Sequence, residues 1–172
     1  RMGLPMSRRI LAAGFDLTVH NRSQGKVQEI AREGAHTAQS IAEITRAADI
    51  LMACLPDIAT VEELFLGKGG IIDNAKPGQI LVDHSTVGVK TSKACAEAAE
   101  KPRALFLDAP ISGGTVRATD GTLTIMAGGP QDAYDQVMPE FKAMGATVRQ
   151  IGHTGTGTTV KQDTQHLVCK HK

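Results

Sequence analysis

Tryptophan is absent, and aromatic residues make up only 3% of the 172 residues. That leaves no stacking platform of the kind single-stranded nucleic acid needs, and the core must be built from Ala, Ile, Leu and Val. An excess of either charge is also missing. Nineteen Lys and Arg stand against 18 Asp and Glu, a net charge of +1, so nothing here attracts nucleic acid or an anionic membrane surface. There is no run of about 20 apolar residues to span a bilayer, and no recognisable secretory leader. Cys54, Cys95 and Cys169 are an odd, scattered set without a pairing pattern, which fits a reducing compartment such as the cytoplasm. The six His lack metal-ligand spacing. Their closest approach to a ligand pair, Cys169 and His171, reads as a solvated tail, so no metal site is expected.

What is present is a regular alternation of short apolar runs and helical segments. Leu17-Thr18-Val19 reads as a strand, and residues 24–33 as a charged helix stopped by Gly34. Ser40-Ile41-Ala42-Glu43 has capping-box spacing and opens a helix through Ala48. Residues 50–55 are a continuous apolar run broken by Pro56, as in a strand buried on both faces. Thr60-Val61-Glu62-Glu63 repeats the capping-box spacing. Strands over 79–83, 104–107, 123–127 and 147–151 and helices over 91–100 and 133–144 complete the series. The pattern predicts an α/β fold with a doubly wound, mainly parallel sheet. Ligands bind at the carboxyl ends of such strands, so the informative residues should follow them.

The front of the chain, Met2-Gly3-Leu4-Pro5-Met6, runs into an apolar helix ending at Gly14, and a strand then ends at His20-Asn21-Arg22. That order follows the glycine loop of a dinucleotide fold: helix, turn, second strand, then the group that reads the adenosine ribose. An acidic residue at that strand end would select NAD by accepting from the ribose 2′-hydroxyl. Here Asn21-Arg22-Ser23 stands instead, and a guanidinium suits a 2′-phosphate. The reading is NADP, with NAD possible, and Arg22 as main contact supported by Asn21 and Ser23. The alternative is a solvated Arg at a strand end.

Two later runs carry most of the chemistry. Asp108-Ala109-Pro110-Ile111-Ser112-Gly113-Gly114 follows a strand. Its Ser112 hydroxyl and the sterically open amides of Gly113 and Gly114 suit a small carboxylate. Gly152-His153-Thr154-Gly155-Thr156-Gly157 leads to Lys161, whose ammonium can polarise a carbonyl and then give up its proton.

Together these segments resemble the β-hydroxyacid dehydrogenase family, which includes 3-hydroxyisobutyrate dehydrogenase, tartronate semialdehyde reductase and 6-phosphogluconate dehydrogenase-like domains. The resemblance runs from Met2 to Lys161. It implies a Rossmann-like nucleotide-binding domain over residues 1–151, and over 152–172 the start of an interdomain helix carrying the catalytic lysine. The family loop reads G-x-G-x-M-G-x-P-M, of which Met2 and Gly3 match the end. The expectation is therefore a chain lacking its first strand and its C-terminal all-helical domain, from a longer product.

The resemblance also implies that Leu55 and Pro56, in Cys54-Leu55-Pro56-Asp57, underlie the adenine and ribose. Thr86, in Asp83-His84-Ser85-Thr86, would lie near the nicotinamide ribose. Strand-exit packing and helix capping are the alternatives for those positions. Lys161 falls at the family's general acid/base position. Beyond it, Thr164 and Gln165 depart from the family's Asn-containing pattern, although Gln165 retains a donor for substrate. The implied activity is NADP(H)-dependent hydride transfer to or from a small β-hydroxyacid or semialdehyde acid. A homo-oligomer is implied for the full-length form. Two other readings stand beside it: a catalytically incompetent nucleotide-binding or interaction module of the same fold, and an imine reductase-like enzyme.

Overall fold

The computed structural model describes residues 2–169, with side chains as far as Thr164. In chain order the elements are α1 (Gly3–Ala12), β1 (Thr18–Val19), α2 (Gln24–Arg32), β2 (His36–Thr37), α3 (Ile41–Ala47), β3 (Ile50–Ala53) and α4 (Ile58–Leu66). There follow α5 (Ile71–Asn74), β4 (Ile80–Asp83), α6 (Val89–Glu100), β5 (Leu105–Asp108), β6 (Ile111–Ser112) and α7 (Gly114–Asp120). The series closes with β7 (Leu123–Gly128), α8 (Gln131–Met144), β8 (Gly145–Gly152) and α9 (Thr156–Cys169).

The central apolar runs become strands because each has helices to cover both of its faces. In β4, Ile80 and Val82 face a core shared with α1, α7 and α8, while Leu81 faces a second core with α4, α5 and α6. Leu107 and Phe106 divide β5 between the same two cores. Burying both faces is what a continuous apolar run is suited to. The few aromatics are concentrated here, with Phe65 edge-on to Phe106 at 5.7 Å and Phe141 flanked by Tyr134 and His84.

The sheet is less parallel than the alternation predicts. β3, β4 and β5 are parallel and in register, so that Ala53, Asp83 and Asp108 end level with one another. β7 runs antiparallel to β5 and β6, and β8 lies parallel to β7 on its other side. The reversal follows from β6 and α7, two short elements hidden in what reads from sequence as a glycine-rich loop. Among the described residues β1 pairs with β2 alone, and β3 with β4 alone, so their two sheets share no ladder.

Most boundaries shift by a residue or two from the sequence expectation, and three of the shifts bear on the strand exits. β3 stops at Ala53, not at residue 55. α6 starts at Val89. α4 begins earlier than the capping-box spacing suggests, because Asp57 is its N-cap and accepts from the Thr60 N–H at 2.8 Å. The bond holds the Asp57 carboxyl below its usual range. Ser40 does cap α3 as expected, accepting from Glu43 N–H. β2 and α5 are too short to carry a period. Cys169 falls at the end of α9, but its side chain and His171 lie outside the described residues. Among the described residues no helix is long and apolar enough to cross a membrane.

His84 is fully buried, with Nδ1 2.7 Å from the Ala109 carbonyl. A carbonyl can only accept, so Nδ1 carries the proton and Nε2 is an acceptor without a partner among the described residues. Burial holds the ring's pKa down to about 4. Because the folded value lies below the unfolded one, His84 contributes stability above pH 6.5 that is lost as pH falls toward 4. The raised carboxyls of Asp83 and Asp108 act in the opposite sense. Urea titrations at pH 7 and pH 4 of wild type and His84→Asn should therefore differ in slope, by about 3 kcal/mol across the window. Parallel profiles would remove His84 as the source.

Candidate active site

The level ends of β3, β4 and β5 release three loops on one side of the sheet, and these loops are fastened to each other. His84 N–H donates to the Ala53 carbonyl and Ala109 N–H to the Asp83 carbonyl, each at 2.8 Å, extending the ladders past the strands. Ser85 N–H donates to Asp83 Oδ1, and Ser85 Oγ accepts from Leu55 N–H, both at 2.9 Å. Between these loops, the start of α1 and the flank of α9 lies a cleft of about 240 Å³.

Seven candidate residues from the sequence line this cleft together: Met2, Leu55, Thr86, Ser112, Gly113, Gly114 and Lys161. Gly3 opens α1 beside it, and Pro56 stands exposed at the strand exit. Asn21, Arg22 and Ser23 are exposed after β1, outside the cleft; the Asn21 amide donates to the Ser23 carbonyl, and the Arg22 charge reaches Asp57. Gln165 falls within α9, but its side chain lies outside the described residues. A wider depression of about 500 Å³, between the β7–α8 turn and β8, contains none of the candidate residues.

Gly113 and Gly114 take φ of +136° and +66°. Side chains with a Cβ rarely adopt these values, and the glycines leave the amides beside Ser112, at the start of α7, sterically open. Across the cleft Lys161 is 8% exposed, and burial alone lowers its pKa from the ordinary lysine value. No carboxylate lies within ion-pairing distance of it among the described residues. An unpaired ammonium in partial burial can give up its proton more readily than a surface lysine.

Residues that sequence reasoning left without a role also line the cleft: Cys54, His84, Ser85 and Ile111. Burial, with a smaller contribution from nearby Asp83, pushes the Cys54 thiol up to about 11. It therefore stays protonated and serves as apolar lining, not as a nucleophile. Ser85 is identified by its bond to Leu55, a partner 30 residues away that no local pattern reveals.

The helix carrying Lys161 is docked unusually close to the sheet. A Cβ on Gly157 would run into the Met126 carbonyl, and one on Gly128 would stand 2.7 Å from both Asp108 Oδ1 and the His153 carbonyl. These contacts account for part of the glycine-rich approach.

A doubly wound sheet with a cleft at its strand exits, beside an uncapped helix start, defines a nucleotide-binding domain of the Rossmann-like class. The chain belongs to the family of the NAD binding domain of 6-phosphogluconate dehydrogenase, which matches residues 1–152. It is 36% identical to an uncharacterized oxidoreductase of Bacillus subtilis, over 98% of this chain and 58% of that protein. It is 35% identical to the NAD-dependent L-serine dehydrogenase of Pseudomonas aeruginosa, over 98% of this chain and 56% of the relative. The mitochondrial 3-hydroxyisobutyrate dehydrogenase of Mus musculus is 34% identical, over 93% of this chain and 48% of its own length.

Among solved structures, Psf3 in complex with NADP+ and 2-OPP superposes with a TM-score of 0.92 at 31% identity, covering 95% of this chain and 58% of that one. An imine reductase from Pseudomonas sp. shares the fold, with a TM-score of 0.84 at 23% identity over 97% of this chain and 57% of its own. The chain thus spans between about half and three fifths of the proteins it matches.

Gly157→Ala should lower stability by more than about 2 kcal/mol, because backbone must move to admit the methyl group. Gly25→Ala, where the added Cβ meets open space inside α2, should be neutral or stabilising. Equal denaturant midpoints for the two variants would contradict the close docking of α9.

Proposed function

We propose that this chain is the nucleotide-binding part of an NADP(H)-preferring oxidoreductase acting on a small β-hydroxyacid or semialdehyde acid. The substrate would be of the 3-hydroxyisobutyrate, tartronate semialdehyde or glyoxylate type. The observation that carries the reading is one cleft lined together by Ser112, Gly113, Gly114 and a buried Lys161 that has no ion-pair partner among the described residues. It is supported by relatives that include dehydrogenases of 3-hydroxyisobutyrate and L-serine.

The residues present fit a dinucleotide. Among the described residues the start of α1 has neither a side-chain cap nor an acidic residue in its first turn, so the N–H groups of Gly3 and Leu4 suit a pyrophosphate. Met2, Leu55, Pro56 and Thr86 would flank the nucleotide, and Arg22, with Asn21 and Ser23, would take the ribose 2′-phosphate. When bound, the nicotinamide supplies or accepts the hydride. Ser112, Gly113 and Gly114 hold the substrate carboxylate, and Gln165 is a further donor. This would set the substrate carbonyl within reach of Lys161 on α9. In reduction the Lys161 ammonium hydrogen-bonds the carbonyl oxygen and delivers its proton as the alkoxide forms. In oxidation the neutral amine removes the hydroxyl proton. Residues 152–172 then act as the interdomain helix of a longer, homo-oligomeric, cytoplasmic protein, with residues 1–151 as the nucleotide domain.

Arg22→Asp should weaken NADPH binding by about 10–100-fold and leave NADH binding little changed, as measured by fluorescence titration. Unchanged NADPH affinity would remove Arg22 from the site. Lys161→Ala should lower kcat for NADPH oxidation with tartronate semialdehyde or glyoxylate by about 10³-fold. In the wild type the reductive rate should fall, and the oxidative rate rise, as pH passes through a value below 10.5, since burial lowers the Lys161 pKa. A limb that persists in Lys161→Ala would assign the proton transfer elsewhere.

A further inference from the structure

The amino end of α9 is capped from elsewhere in the chain. Gly155, just before the helix, has no side chain with which to cap it. Asp108, at the end of β5, reaches across instead. Its Oδ1 accepts from Gly155 N–H at 2.6 Å, and its Oδ2 accepts from Thr158 N–H at 2.8 Å and from the Thr158 hydroxyl at 3.0 Å. Because that hydroxyl's proton is directed at Asp108, the Ser92 hydroxyl, 3.1 Å away on α6, must be the donor to Thr158 Oγ1. Asp108 is 1% exposed and Thr158 2%. Gly128 and Gly157 clear the space around the carboxylate: a Cβ on the first would lie 2.7 Å from Oδ1, and on the second 3.1 Å from Oδ2.

We propose that Asp108 is a positioning residue for Lys161: its carboxylate holds the first turn of α9 so that the lysine emerges over the cleft. The inference rests on the reading of Lys161 as the acid/base. Lys161 follows Thr158 by three residues, so the two side chains stand one above the other on the same helix face. Fixing Thr158 therefore fixes the rotation and depth at which Lys161 leaves the helix. The same strand end continues through Ala109 and Pro110 to Ser112, so the lysine's mount and the proposed carboxylate anchor share one short length of backbone. Any drift of α9 would change the separation between them. A second tie, from the Gln162 amide to the Val87 carbonyl at 3.2 Å, fastens the next turn of α9 beside Thr86.

Asp108→Asn keeps the shape but turns an amide toward N–H donors. The test uses trace acetic anhydride labelling of Lys161 across pH, read by mass spectrometry, together with NADPH oxidation on glyoxylate and tartronate semialdehyde. A positioning role predicts that the Lys161 titration moves up toward the ordinary lysine range as the helix loosens and water reaches the amine. It also predicts that kcat falls about 10²-fold while KM and NADPH affinity stay within threefold. If Asp108 acted only as a nearby negative charge, its removal would move the titration down, and that result overturns the proposal. So does an unchanged titration.

Should Asp108→Asn fail to fold, Thr158→Val and Thr158→Ser decide. The valine variant should move the titration in the same direction and the serine variant should restore it; identical behaviour of the two overturns the proposal. Labelling reports geometry without turnover. A shifted titration in Asp108→Asn beside full activity in Lys161→Ala would therefore refute the acid/base reading and leave the positioning intact.

Discussion

The buried carboxylate of Asp108 is where sheet, cleft and final helix meet. Its two oxygens take three donors from the start of α9, and burying a carboxylate is tolerable only with such partners. Burial still raises its pKa, and the three donors oppose that shift. In register beside it on β4 stands Asp83, also buried, which is satisfied by Ser85 N–H. Two acidic residues thus end adjacent strands and turn inward to bind backbone. Each organises the loop or helix beyond it, Asp83 the turn carrying Ser85 and Thr86, and Asp108 the helix carrying Lys161.

This arrangement divides labour between chemistry and support. The groups that face the cleft have few partners of their own: Lys161 has no ion pair among the described residues, and the amides after Ser112 are left sterically open by glycine. The groups beside and behind them are held by hydrogen bonds. Ser85 is tied to Leu55, Thr158 to Asp108 and Ser92, and Gln162 to Val87. Rigid support beneath exposed donors is what holding a small anion requires, because a loosely held donor loses the benefit of proximity.

The apolar runs were legible because burial on both faces leaves a continuous signal, and β3, β4, β5 and β7 lie where that signal falls, whereas β8 is exposed along much of its length. Strand direction was not legible. β7 is as apolar as β4, yet it runs antiparallel to β5 because β6 and α7 reverse the chain within a stretch whose glycines mask any period. In the same way the Asp57 cap was hidden behind a better-looking Thr60, since the capping-box spacing describes a local option and says nothing of where the preceding strand ends.

The sequence by itself determined the alternation of strand and helix, the strand-exit positions of the candidate residues, and the two glycine-bearing runs that mark the site. Only the tertiary structure decided that Met2, Leu55, Thr86, Ser112 and Lys161 face one cleft, and that Asp108 caps a helix beginning about fifty residues later. The reason is range. Periodicity and turn chemistry act over a few residues and leave their mark in the order of the chain. Capping at a distance, and the close approach that requires Gly128 and Gly157, depend on strands lying side by side, which no local pattern records.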